Sequence, residues 1–95
     1  ITRHEWLGQT VYALHGHLSR SSLLSWKEGD RFNGGDVLAH VGSEQENGGW
    51  NPHLHFQLSL IKPDTHDLPG AVAATDLQWA LRAFPDPRLV LGPLY

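Results

Sequence analysis

Residues 53–60 read His-Leu-His-Phe-Gln-Leu-Ser-Leu, with Leu54, Phe56, Leu58 and Leu60 alternating against His53, His55, Gln57 and Ser59. A strict period of two belongs to an extended strand with one apolar face, because successive side chains point to opposite sides of a sheet. Such a strand has to bury that face against another element. The run is the best strand signal in the chain.

The flanking signals agree. Residues 1–6 alternate weakly, Leu7-Gly8-Gln9 has turn composition, and residues 10–18 begin with the β-favouring Thr10, Val11 and Tyr12. A hairpin across Gly8 is the simplest arrangement. The Ser-rich segment 19–25 suits one helical turn. Lys27-Glu28-Gly29-Asp30 and Asn33-Gly34-Gly35-Asp36 are two turn signals close together, with Arg31-Phe32 as a very short strand between them. Residues 37–41 read as a further apolar strand ended by Gly42, and 43–52 as a polar loop. Beyond Pro63 the period changes. Thr75 with Gln78 has capping-box spacing, and Leu77, Ala80, Leu81 and Phe84 fall on one helical face before Pro85 and Pro87. The expected division is a β domain over 1–62, followed by a loop, one C-terminal helix and a tail over 63–95.

Composition removes several functional classes. The formal net charge is −3 and there is no Lys/Arg run, so nucleic acid is not an expected partner. No apolar stretch approaches a membrane span, and Arg3, His4 and Glu5 interrupt any signal-peptide core in this segment. Without Cys there are no disulfides or thiolate metal sites. The chain contains no Met, so it reads as a segment of a longer protein.

The compositional excess is histidine, seven in 95 residues. His15 and His17 are two apart, as are His53 and His55, so each pair would share a face of its strand. If those strands are neighbours, four imidazoles converge. Zinc takes His and Asp ligands, with three protein ligands and a water in hydrolytic sites. An imidazole near the metal but not on it can serve as general base or oxyanion donor. These four histidines are thus a candidate divalent-metal site in their own right, set against the plainer reading of His-x-His as a surface pattern.

Three pieces in sequence carry a resemblance: Gly16-His17-Leu18-Ser19; the paired Gly-Asp turns leading to Val37-Leu38-Ala39-His40-Val41-Gly42; and Asn51-Pro52-His53-Leu54-His55-Phe56-Gln57. Together they resemble the second half of the lysostaphin-like (LytM-type) zinc metallopeptidase domain, whose Pro-His-Leu-His-Phe signature is the most specific piece. The downstream Leu68-Pro69-Gly70, Pro85-Asp86-Pro87 and Leu91-Gly92 resemble a version embedded in a large bacterial protein beside a class III aminotransferase.

The resemblance implies an antiparallel β-sandwich of the duplicated hybrid-motif kind with one C-terminal helix. It implies hydrolysis of peptide bonds, with peptides or peptidoglycan cross-links as substrate and Zn²⁺ as cofactor. His55 matches a zinc ligand, His53 the histidine that activates the attacking water, and His17 the histidine that stabilises the oxyanion. His15 stands where the family usually has Tyr and is an additional candidate metal or site residue. The family's other two ligands lie in an upstream His-x-x-x-Asp motif. Only eleven residues precede Tyr12, and Gly8 stands four after His4, so the site is incomplete in this chain. A cytoplasmic location follows from the aminotransferase version, an extracellular or periplasmic one from a cell-wall peptidase.

Two other functions compete. One is a non-catalytic binding or structural module of the same fold within a larger protein. The other is a phosphohistidine carrier using His17 or His53. Trp50 and Asn51 are candidate substrate contacts, although a Trp beside a small core more commonly covers its edge. His4, His40 and His66 read as bystanders, and Trp79 as a helix packing residue. Half a sandwich would expose sheet edges and an apolar face, so self-association, or packing against the rest of a larger protein, is expected.

Overall fold

A computed structural model describes residues 1–93. Its regular elements are β1 (Thr2–Trp6), β2 (Gln9–Gly16), α1 (Arg20–Leu24), β3 (His55–Ser59), a 3₁₀ turn (Ala74–Asp76), α2 (Leu77–Ala83) and α3 (Arg88–Leu91). The three strands form one antiparallel sheet in the order β1-β2-β3. The chain divides into two units, one holding Ile1–His15 with the described residues from Phe56 onward, the other holding Gly16–His55.

In the first unit, β1 and β2 pair antiparallel from Thr2↔Ala13 to Trp6↔Gln9. The hairpin forms where Gly8 suggested it. Its two loop residues, Leu7 at φ 52° and Gly8 at φ 76°, have the paired positive φ of a type I′ turn, whose twist matches that of the strands it joins. Val11, Ala13 and Leu58 form the buried cluster, with Phe56 and Leu60 packed against it. The expected alternation is realised in part: Phe56, Leu58 and Leu60 pack together, whereas Leu54 lies before the strand and is exposed, and Ser59 of the polar set is fully buried.

The C-terminal helix is present but differs from expectation. It begins as a 3₁₀ turn at Ala74, and neither Ala73 nor Asp76 makes a side-chain cap hydrogen bond. The Thr75–Gln78 capping box is therefore not formed. Ala80 and Ala83 are the buried residues of α2, whereas Leu77 and Leu81 of the expected face are exposed. Small side chains let the helix approach closely: the Leu60 amide donates to the Ala83 carbonyl at 2.8 Å. Pro85 ends α2 as expected. The short α3 follows, with Pro87 as its N-cap residue; Asp86 Oδ1, one residue before it, accepts from the Arg88 amide at 2.9 Å.

The second unit has little regular structure. Ser19 caps α1, its hydroxyl accepting from the Ser22 amide at 3.2 Å. The two Gly turns form as expected, with Gly29 at φ 92° and Gly35 at φ 90°. In each the closing Asp also accepts from the first residue's amide: Asp30 from Lys27 at 2.9 Å, Asp36 from Asn33 at 2.8 Å. Arg31-Phe32 is not a strand. Residues 37–41 are not one either, apart from a single antiparallel bridge, Leu18↔Val41. The main-chain groups of this segment bond elsewhere. The Leu38 carbonyl accepts from Trp26 Nε1 at 2.6 Å, and the His40 amide donates to the buried Ser22 hydroxyl at 2.8 Å. Val37 consequently stays exposed. A three-stranded sheet with helices is what these residues build.

Candidate active site

Three of the four paired histidines face one another in the Gly16–His55 unit. The ring centroids of His17 and His53 are 4.5 Å apart, and those of His17 and His55 are 6.0 Å apart. Strand periodicity does not bring them there. β2 stops at Gly16 and β3 starts at His55, so His17 and His53 both lie outside the strands. The same-face argument fails for each pair, and local backbone geometry replaces it.

His17 adopts φ 62°, the left-handed region that costs a non-glycine residue about 1–2 kcal/mol. This turn redirects its ring away from the strand's alternation. The conformation is held by the Gly42 amide, which donates to the His17 carbonyl at 2.7 Å, and by the Ser19 amide bonding to the His40 carbonyl at 2.9 Å. Gly42 itself leaves no room for a side chain. A Cβ there would sit 3.0 Å from both the His17 and Leu18 carbonyl oxygens. Gly16 plays the same part on the other side, since a Cβ would meet the His55 Cβ at 3.1 Å.

His53 is placed by its loop. Its Nδ1 is 2.7 Å from the Asn51 carbonyl oxygen. A carbonyl only accepts, so Nδ1 carries the proton, and in the neutral ring the lone pair lies on Nε2. His17, Trp50, Asn51, Pro52 and His53 line an open pocket of about 430 Å³. Trp50 is 70% exposed there, so it does not cover a core edge. His55 is half-buried beside the cluster, outside the pocket's lining.

His15 belongs to the other unit. Its ring meets Phe56 edge-on at 5.3 Å. Burial, reinforced by the positive terminal amine and His4, lowers its pKa below the usual histidine value. His40 and His66 are exposed, as expected for bystanders. Trp79 meets Phe84 edge-on at 5.6 Å. Glu46, unremarked in the sequence, accepts from the Arg20 amide at 2.6 Å and from Ser43, and the Arg20 hydrogen bond leads the lowering of its pKa.

Among the described residues, no group of three or more His, Cys, Asp or Glu side chains is arranged to hold a metal ion. The donor set here is imidazole alone, without the carboxylate of the family pattern. These residues do not by themselves fit a zinc centre. Among the described residues, too, no helix is long and apolar enough to cross a membrane. Comparison with protein families, curated proteins and solved structures finds no match to the chain.

Proposed function

We propose that this chain is the histidine-bearing second half of a LytM-type zinc-peptidase domain, acting on peptide bonds of peptidoglycan-like substrates. The observation that carries the reading is the approach of His17 to His53 at one wall of an open pocket. Two imidazoles spaced this closely can divide acid and base work between them. His53, with its proton held on Nδ1 by the Asn51 carbonyl, offers Nε2 to take a proton from an attacking water. His17 donates a proton or hydrogen bond to the oxygen that becomes negative in the tetrahedral intermediate. Trp50 and Asn51 border the same pocket and meet the substrate backbone. The resemblance gives His55 to zinc, which when bound supplies Lewis-acid polarisation. Its remaining ligands are not among these residues, so the roles derived above are those of the side chains themselves.

The test is cleavage of oligoglycine and mixed peptides, and of peptidoglycan, with zinc supplied. His53→Ala and His17→Ala should each lower the rate by about 10²–10⁴-fold, the range for a positioned acid or base. Activity indifferent to His53→Ala refutes the assignment. Peptide binding without cleavage would instead assign the pocket to a non-catalytic module.

A further inference from the structure

Residues 43–51 form the loop that leads to His53, and a single buried polar side chain organises it. Asn47 is 7% exposed. Its Oδ1 accepts from the Trp50 amide at 2.9 Å, and its Nδ2 donates to the Trp50 carbonyl at 2.8 Å and, at 3.4 Å, to the Asn51 carbonyl. Its own amide donates to the Ser43 carbonyl at 3.0 Å. Gly48 and Gly49, at φ 90° and 94°, let the chain double back so that one side chain reaches the main chain on both sides of Trp50.

The Asn51 carbonyl thus accepts from two donors, Asn47 Nδ2 and His53 Nδ1. A carbonyl oxygen has two lone pairs, so both bonds are accommodated at once. We infer that Asn47 is a positioning residue: by holding the Trp50-Asn51 main chain it aims the Asn51 carbonyl at His53 Nδ1, and so keeps the lone pair of His53 on Nε2, facing the pocket. A hydrogen bond on one ring nitrogen determines the role of the other. The inference rests on the reading of His53 as the proton acceptor, and it extends that reading to a residue that touches neither substrate nor ring.

The experiment measures ring ¹⁵N shifts of the full chain at a pH where the histidines are neutral. In the wild type, His53 should be predominantly protonated on Nδ1, while His66, an exposed ring, serves as the unconstrained reference. Asn47→Ala and Asn47→Asp should both move His53 toward the His66 pattern while His15 keeps its own. Asn47→Asp matters most, because it retains the shape and the acceptor for the Trp50 amide while a charged carboxylate oxygen, which cannot donate, replaces the Nδ2 donor to the Trp50 and Asn51 carbonyls. An unchanged His53 tautomer in Asn47→Asp overturns the inference. So does an equal shift of every histidine, which marks general loosening. The readout needs no turnover: a wild type inert on all peptides with a shifted Asn47→Asp tautomer sinks the peptidase reading alone.

Discussion

The left-handed backbone at His17 can be weighed by comparing two variants that lose the same ring. His17→Ala and His17→Gly both remove the imidazole, which is exposed, so its contacts cancel in the comparison. What remains is the backbone at φ 62°. Alanine keeps the left-handed cost of about 1–2 kcal/mol. Glycine is free of it but gives up roughly 0.5–1 kcal/mol in additional chain entropy on folding. At the midpoints of these ranges the difference favours His17→Gly by about 0.75 kcal/mol, equivalent to roughly 3–6 °C for a domain of this size. Urea titrations of both variants, followed by tryptophan fluorescence, measure it as a change of midpoint at constant slope. His17→Ala proving as stable as His17→Gly would show that this conformation stores no strain. The directing role given to the turn would then be wrong.

Other consequences are open to test. Leu58 is 2% exposed at the centre of the small cluster with Val11 and Ala13, so Leu58→Ala should cost about 2–5 kcal/mol in a denaturant melt. A loss well under 1 kcal/mol would mean the core lies elsewhere. Leu7 is 90% exposed at a left-handed turn position that favours Asn before Gly. Leu7→Asn should therefore stabilise the protein by about 0.5–1 kcal/mol, and destabilisation would contradict the turn assignment. His15 has a lowered pKa in the fold, so below its unfolded value of about 6.5 the unfolded chain binds more protons. Stability should be complete above that pH and decline as the pH falls toward the folded value. His15→Gln should flatten that part of the stability–pH curve, and an unaltered curve would exonerate His15.

Much of the local structure was legible because it is written in short-range chemistry. Gly8 marks the hairpin, the Ser-rich segment 19–25 holds the short α1, and Gly29 and Gly35 sit where their turns need positive φ. The four-residue α3 leaves no periodicity to notice. Longer-range features were less accessible. Residues 37–41 have strand composition, yet only one bridge forms, and the Leu38 carbonyl and the His40 amide go to side chains. On α2 the apolar period singled out Leu77, Ala80, Leu81 and Phe84; Ala80 of that face is buried, but Leu77 and Leu81 are exposed and Ala83, whose carbonyl accepts from the Leu60 amide, is buried in their place. The histidine cluster was anticipated for a reason that does not hold. His17 and His53 meet through a left-handed turn and an Asn51 hydrogen bond, neither of which has a periodicity. Asn47 had a weak sign in the Gly48-Gly49 that follows it, but nothing in sequence says that its side chain is buried.

The bridge between Leu18 and Val41 sets what fraction of molecules holds the site assembled. Three hydrogen bonds hold that crossing, from Gly42 to His17, from Ser19 to His40 and from His40 to the Ser22 hydroxyl. At a net of about 0.5–1.5 kcal/mol each, their sum is roughly 1.5–4.5 kcal/mol. That corresponds to an open fraction between roughly one in ten and one in two thousand, within the range of local opening rather than global unfolding. The Ser19, His40 and Gly42 amides should then exchange with solvent as a group, by a route that leaves the Val11–Leu58 cluster shut. A site latched this lightly opens at an energetic cost far below that of unfolding the protein.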